Sequence, residues 1–199
     1  AHVLLNYSVE LRKGDKVTIL GELVCYPLMK EIYRQSIQLG ALPECHFMEE
    51  ELQEIVLKEG SEGQIKYVPE SLKKSYMTSD VLLSIWGSAN TRIFSNIAPD
   101  KMKIYSQGRR PIIDILFQRL AKGEARWCGT LFPTRGVAQE ASMSLYEFEE
   151  FAYNACHLND EDPITSWQEI DRQQGKICNF LNQKEKLRFI SRDTDLKVA

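Results

Sequence analysis

Residues 126–167 read RWCGTLFPTRGVAQEASMSLYEFEEFAYNACHLNDEDPITSW. The stretch begins with a short, nearly continuous apolar run that ends at Phe132. Such a run is typical of a parallel strand covered on both faces. A Pro-Thr turn follows the run, and two acidic amphipathic segments with helical spacing come after the turn. A buried strand followed directly by helices is the repeating unit of an α/β fold.

Both helical segments carry start signals. Ser144 and Glu147 have the spacing of a capping box, which predicts a helix over residues 145–156. The pair Asp162-Pro163 predicts a second helix that reaches about Leu181.

The same alternation extends over the rest of the chain. We predict strands at residues 16–20, 44–48, 81–86, 126–132 and 187–191. Helices are expected between them at residues 28–39, 50–58, 69–78 and 112–121, with Pro99 and Pro111 bracketing weaker turns. The pattern has no repeats or low-complexity linkers. It predicts a single α/β domain over residues 1–199, with a doubly wound, mostly parallel sheet of about five strands and helices on both faces. The residues after 191 are expected to lead into a further segment.

Composition narrows the class of protein. A formal net charge of −3 argues against a nucleic-acid-binding module, which needs a basic face. No run approaches the roughly 18 consecutive apolar residues of a membrane span, and no secretory signal is recognisable. The five cysteines are scattered and include no C-x-x-C pair. We therefore expect a cytoplasmic protein in a reducing compartment, without a membrane or nucleic-acid partner.

Hydrolytic chemistry has little support in the residues themselves. A catalytic metal needs three or more converging ligands, but the three histidines, His2, His46 and His157, are far apart in sequence and no H-E-x-x-H motif occurs. No G-x-S-x-G elbow marks a nucleophile. We therefore predict that this chain carries no catalytic and no metal-ligating residue.

Two segments are candidates for ligand contact. Asn90 and Arg92 follow the third strand, at the end of the sheet where α/β proteins place ligand loops. Arg109 and Arg110 lie in a segment rich in cations, which would attract an anion or a substrate carboxylate. The alternatives are a turn-forming role for Asn90 and a solvated or ion-paired face for the arginines. The loop over residues 20–27 lacks the G-x-G-x-x-G pattern of dinucleotide sites.

Several motifs, taken in order, resemble those of a known family. The strand ending in L-F-P-T, the following A-Q-E-A-S-M-S, the E-F-E-E-F helix and the D-E-D-P helix start resemble the N-terminal domain of the metal-dependent aminopeptidases of the aminopeptidase T, aminopeptidase S and PepS type. Asn90-Thr91-Arg92 and Pro99-Asp100 also match this pattern, so the resemblance spans nearly the whole chain.

The resemblance implies an activity for a larger protein. Members of this family release N-terminal residues from peptides, use two divalent metal ions (zinc, cobalt or manganese) and form homodimers around an internal cavity. Their metal ligands lie in a C-terminal catalytic domain whose motifs are absent from this sequence. The chain is therefore expected to be an N-terminal domain that shapes the substrate cavity and the dimer, has the catalytic domain as its partner and is inactive alone. The alternatives are a stand-alone α/β module that binds a small anionic ligand or nucleotide, and a purely structural assembly domain.

Overall fold

The computed structural model describes residues 1–198. Six strands are present: β1 (Lys16–Gly21), β2 (Leu42–Phe47), β3 (Val81–Trp86), β4 (Arg126–Leu131), β5 (Leu187–Ser191) and β6 (Thr194–Val198). The α-helices are α1 (Tyr26–Gln38), α2 (Glu50–Glu59), α3 (Glu62–Lys66), α4 (Glu70–Thr78), α5 (Pro99–Ala121), α6 (Arg135–Glu140), α7 (Leu145–Ala155) and α8 (Pro163–Leu181). A π-helical turn (Leu4–Ser8) and a 3-10 turn (Leu23–Cys25) are also formed.

The chain divides into two compact units, Ala1–Ala152 and Tyr153–Ala199. In the first unit, four strands form a parallel sheet in the order β2-β1-β3-β4. Val17 of β1 is aligned with Pro43 of β2 and with Val81 of β3. The predicted α/β class with a mostly parallel sheet is confirmed, whereas the single-domain organisation stays a prediction.

Helices cover both faces of the central strands. On one face, alternate residues of β1 and β3 pack against α1 and the N-terminal turn, and the buried members include Leu5, Val17, Ile19, Met29, Ile32, Val81, Leu83 and Ile85. On the other face, Leu20 packs with residues of α4, α5 and the segment before α4, namely Val68, Leu72 and Ile112. A third cluster joins α2, α3 and the loop before α5 through Leu57, Ile65 and Ile97. The alternation follows from the period of two along a strand.

A polar network joins the edge strand β2 to β1 and α4. The Glu44 carboxylate accepts hydrogen bonds from Thr18 Oγ1 at 2.9 Å and Ser75 Oγ at 2.5 Å, and His46 Nε2 lies 3.3 Å from it. Thr18 Oγ1 also lies 2.6 Å from Ser79 Oγ. Burial alone would raise the pKa of Glu44, but hydrogen bonds from Ser75, Thr18 and His46 outweigh it and lower the pKa. The network satisfies the buried polar atoms between sheet and helix.

Arg126, at the start of β4, fixes the N-terminal segment. Its guanidinium donates to the carbonyl oxygens of Val9 and Glu10 at 2.8 and 2.6 Å, and it pairs with the Asp15 carboxylate at 2.5 Å. Glu10 has a φ of +43°, an uncommon conformation for a residue with a side chain. The arginine therefore stabilises the turn that leads from the N-terminal π-helical turn towards β1.

Helix α5 departs from the sequence-based expectation. We predicted turns around Pro99 and Pro111 and a helix over residues 112–121, but α5 is continuous over 23 residues and contains Pro111. Proline lacks the N–H that would bond the carbonyl of Gln107, four residues earlier. Both residues are exposed, so solvent reaches that carbonyl and the helix passes through the proline.

The helix-start signals near the C-terminal half are confirmed. Ser144 N–H donates to Glu147 at 2.8 Å and Glu147 N–H donates to Ser144 Oγ at 3.2 Å, which is a capping box. The Asp162 side chain accepts from the N–H groups of Ile164 and Thr165 at the start of α8. Two short helices, α3 and α6, were not predicted.

The second unit contains α8 and a β-hairpin. Strand β5 forms at residues 187–191 as predicted, but it pairs antiparallel with β6 in a separate two-stranded sheet instead of joining the parallel one. Ser191 is aligned with Thr194, so the chain reverses through the two residues between them. Residues 194–198 form β6, and the expectation that the end of the chain leads into a further segment stays a prediction.

The longest helices are α5 and α8, with 23 and 19 residues. A bilayer span needs about 20 predominantly apolar residues in a row. No helix in the described part of the chain combines the length and the apolar character needed to cross a membrane.

Candidate functional site

Three parallel strands end side by side at one edge of the sheet. β1 ends at Gly21, β3 at Trp86 and β4 at Leu131. Open α/β sheets bind ligands in the crevice outside the carboxyl ends of the strands, where the crossover direction changes. A cavity of about 390 Å³, here called the strand-end cavity, opens at this edge. It is lined by Leu20, Gly21, Glu22, Met48, Glu50, Tyr76, Ser84, Ile85, Trp86, Gly87, Ser88, Leu131 and Val137.

One wall of the strand-end cavity is aromatic. The Trp86 side chain lies directly across Gly129 of β4. A Cβ atom at Gly129 would be 2.8 Å from Trp86 Cζ3 and still closer to Cη2, so the indole occupies the space that a side chain at this position would need. The Trp86 and Trp127 ring centroids are 6.1 Å apart, and Trp127 Nε1 donates to Ser84 Oγ at 3.1 Å. Trp86 nevertheless remains 54% exposed. An indole held in place yet open to solvent is suited to contact with an apolar group.

Two acidic residues, Glu22 and Glu50, also line the strand-end cavity, and Glu49 lies next to Glu50 in the chain. Glu22 follows β1, and Glu49 and Glu50 form the start of α2. Glu49 accepts from the Leu23 N–H at 3.1 Å, and Glu50 accepts from Ser88 Oγ at 2.6 Å. The Glu22 carboxyl receives neither a hydrogen bond nor an ion pair from any residue between 1 and 198. Burial, together with the negative charges of Glu50 and Glu49, raises the pKa of Glu22 to about 7.

Replacing Glu22 with glutamine should stabilise the protein at high pH only. The pKa of Glu22 is raised from 4.5 to about 7, so between these values the folded state keeps a proton that the unfolded state has lost. The free energy of unfolding therefore falls as the pH rises through this window. Because solvent screens the repulsion, we expect Glu22→Gln to raise the free energy of unfolding by about 1 kcal/mol near pH 8 and to leave it unchanged below about pH 4.5.

Urea denaturation at both pH values measures the effect of Glu22→Gln. Glu150→Gln, at an exposed position in α7, is the matched control and should change the stability little at either pH. An equal gain in the free energy of unfolding for Glu22→Gln at both pH values would show that repulsion between the Glu22 carboxylate and its acidic neighbours does not destabilise the folded protein.

The loop after β3 and helix α6 border a second, open cavity of about 500 Å³. Two residues predicted for ligand contact, Asn90 and Arg92, line it together. Asn90 Oδ1 accepts from the Arg92 N–H at 3.1 Å, which is a turn-forming bond. The Arg92 guanidinium binds Glu140 through two hydrogen bonds of 2.9 and 3.2 Å, and Thr91 donates to the same carboxylate. The charge of Arg92 is therefore largely compensated.

The other two predicted residues lie on α5. The Arg109 guanidinium stacks 3.2 Å from the Tyr105 ring centroid and faces the carbonyl oxygens of Ile65 and Tyr105 at 3.5 and 3.4 Å. Burial lowers the pKa of Arg109. Arg110 is exposed and lies 3.9 Å from Asp114. Neither arginine lines the two cavities described above, so the four predicted residues do not form one site.

The donor groups for a metal ion are dispersed. His2 contacts Asn6, His46 contacts Ser75 and Glu44, and His157 contacts Asp160. No group of three or more His, Cys, Asp and Glu side chains within residues 1–198 is arranged to hold a metal ion. The side chains of this part of the chain therefore do not fit a divalent metal site. Burial raises the pKa of Cys25 to about 11, so its thiol stays protonated and is not a nucleophile at neutral pH.

The strand-end cavity was not predicted as a site. From its sequence, the loop after β1 is a candidate only for a nucleotide site, and it lacks the glycine pattern of one. The signal that would have found the cavity is an acidic residue directly after β1 and another, Glu50, three residues after the end of β2, because the carboxyl ends of parallel strands meet at one edge. Trp86 is the last residue of β3, so its position also places it at this edge of the sheet.

Comparisons with known proteins identify relatives. The sequence model of a family described as thermophilic metalloprotease (M29) matches residues 1–199. Among solved structures, wild-type AmpT from Thermus thermophilus is similar to this chain, with a TM-score of 0.80 and 17% sequence identity. The similarity covers 99% of this chain and 51% of the AmpT chain, so this chain spans about half the length of that structure. At this identity the likeness shows the fold alone. No curated protein matches the sequence significantly.

Proposed function

The chain belongs to the thermophilic metalloprotease family (M29), and from this membership we propose that it is the N-terminal α/β part of a metal-dependent aminopeptidase. The observation that carries the proposal is the family match over all 199 residues. The shared fold with AmpT over 99% of this chain supports it. The reaction is the release of N-terminal amino acids from peptides.

The proposed role of this part is to shape the substrate cavity and the dimer rather than to supply the metal site. The dispersed donor groups support this division, because hydrolysis by a metal centre needs several ligands converging on one point. The two divalent ions of the complete enzyme, zinc, cobalt or manganese, would be held by the catalytic domain. No step of the hydrolysis is assigned to the side chains described here.

The proposal gives the chain two partners besides peptides: the catalytic domain of the same enzyme and a second copy. The alternative of a module for small anions has weaker support. Carboxylates crowd the strand-end cavity, and Glu140 already occupies the guanidinium of Arg92 in the second cavity. An anion would be repelled from the first and would have to displace a bidentate partner in the second.

The test is hydrolysis of leucine p-nitroanilide with added cobalt, zinc or manganese and a chelator control. We expect no turnover from the 199-residue chain and metal-dependent turnover from the product of the complete reading frame. Chelator-sensitive turnover by the 199-residue chain would overturn the assignment of the metal site to another domain. Absence of peptidase activity in the longer product, with every metal, would overturn the proposed reaction.

A further inference from the structure

We infer that the β-hairpin of the second unit, formed by β5 and β6, is a docking element whose apolar face packs against an apolar layer of the other half of the same enzyme chain. That this other half is the catalytic one rests on the proposed function, whereas the need for a covering layer follows from the hairpin itself. The inference combines the two-faced pattern of the hairpin, the exposure of its apolar face and the length of a structural relative.

The register of the hairpin sorts its side chains onto two faces. Leu187 is aligned with Val198, and Phe189 is aligned with Leu196. Directly opposed residues of an antiparallel pair project from the same side of the ribbon, and successive residues of one strand alternate between the two sides. The four apolar side chains therefore share one face, here called the hairpin face.

The opposite face of the hairpin carries charged groups. Arg188 is aligned with Lys197, and the Arg188 guanidinium donates two hydrogen bonds of 2.6 and 2.7 Å to the Asp195 carboxylate. Ile190 is the apolar member of this face and is 68% exposed. Exposed ion pairs keep much of their hydration, so this side of the hairpin suits contact with water. A covering layer is needed on the hairpin face alone.

The hairpin face is uncovered. Phe189 and Leu196 are each 53% exposed, and Val198 is 45% exposed. Among the described residues of the second unit, neither strand of the hairpin packs extensively against α8. A two-stranded hairpin is only marginally stable in water unless a further strand or a helix packs on its apolar side. The hairpin therefore lacks the apolar burial that would hold it folded.

Exposed apolar side chains also occur in the helix that precedes the hairpin. Ile177 and Phe180, in the last turns of α8, are each 59% exposed. Soluble monomers rarely leave large apolar patches open to water, and patches of this kind mark surfaces that bind another protein segment. The stretch from Ile177 to Val198 thus has the surface of an interface rather than that of a free end.

The length of a structural relative indicates what covers the hairpin face. The likeness to AmpT covers 99% of this chain but 51% of the AmpT chain, so about half of a chain of this fold lies outside the likeness. A layer supplied by that half would be tethered to the hairpin, which raises its effective concentration above that of any separate molecule. A second copy is the weaker alternative, because four partly covered side chains offer far less than the roughly 800 Å² that each partner buries in a stable interface.

The experiment is hydrogen exchange, followed by mass spectrometry, on the 199-residue chain and on the product of the complete reading frame. We expect the slowest amides of residues 187–198 to exchange about 100-fold more slowly, or slower still, in the longer product, because a covered hairpin face opposes local opening. The amides of β3, which lie inside the parallel sheet, should exchange about equally in the two products and provide the internal control.

Two substitutions by serine in β5 separate the two faces. Phe189→Ser changes the hairpin face and Ile190→Ser changes the charged face, and both side chains are more than half exposed in this chain. In the longer product, Phe189→Ser should speed the exchange of residues 187–198 by about tenfold or more, whereas Ile190→Ser should change it less than about threefold. Unchanged exchange of β3 in both variants would show that the parallel sheet is still folded.

Three results would overturn the inference. They are equal protection of residues 187–198 in the two products, protection in the 199-residue chain that rises with its concentration, and equal effects of the two serine variants. The second of these would assign the hairpin face to a second copy. Failure of the proposed function is distinguishable, because exchange needs neither metal nor turnover. A protected hairpin in a longer product without peptidase activity would support the docking element and remove only the proposed reaction.

Discussion

Replacing Gly108 with alanine is expected to lower the free energy of unfolding by about 3 kcal/mol, although glycine-to-alanine changes inside helices usually stabilise. Gly108 lies in α5 where the backbone of Lys66, the last residue of α3, passes over it. A Cβ atom at Gly108 would be 2.8 Å from Lys66 Cα and 2.9 Å from its carbonyl carbon, with the carbonyl oxygen closer still. These are backbone atoms, so no side-chain rotation relieves the overlap.

Gly63→Ala is the matched control for Gly108→Ala. Gly63 lies in α3, the helix that contacts Gly108, and a Cβ atom there would meet nothing within 4 Å. It should stabilise the protein by up to about 1 kcal/mol through the lower entropy of the unfolded chain. Urea denaturation of both variants measures the difference. If Gly108→Ala were as stable as Gly63→Ala, the close approach of α3 and α5 would be wrong.

Replacing Arg126 with methionine is the second change with a large expected effect, a loss of about 3 kcal/mol. The substitution keeps an apolar stem of similar length but removes the donors to the carbonyls of Val9 and Glu10. It also leaves the Asp15 carboxylate, whose side chain is only 13% exposed, without its cation. An uncompensated buried charge costs more than the ion pair contributes.

Arg110→Met provides the comparison for Arg126→Met. Arg110 is exposed and its nearest carboxylate oxygen is 3.9 Å away, so its loss should change the stability by less than about 0.5 kcal/mol. Amide exchange of Leu5 and Val9 is the second readout, because the N-terminal turn should open first in Arg126→Met. Unchanged protection of these amides would show that Arg126 does not fix the turn.

Much of the fold could be predicted because its signals are local. The apolar run at residues 81–86 and the capping box at Ser144 each depend on neighbouring residues, and both are confirmed. The continuity of α5 through Pro111 could not be predicted, since it depends on the proline facing solvent. The pairing of β5 with β6 depends on which partner lies nearer in space.

The site was less predictable because it depends on contacts between distant segments. Arg92 is visible in the sequence as a cation, but its partner Glu140 is 48 residues away. Glu22 and Glu50 are visible as acids, but only the strand order brings them to one cavity. The closeness in space of Arg92 to Glu140, and of Glu22 to Glu50, cannot be read from the spacing of these residues along the sequence.

The contrast between the two units has a consequence for every melting experiment on this protein. Five of the six residues of β1 are buried, whereas α8 has no buried residue and β6 is exposed throughout. Apolar burial supplies most of the cooperativity of unfolding, so the two units are expected to unfold in separate transitions, and one melting temperature does not describe both. Trp86 and Trp127 lie in the first unit and Trp167 in the second. Tryptophan fluorescence of a Trp167→Phe background therefore reports the first transition by itself.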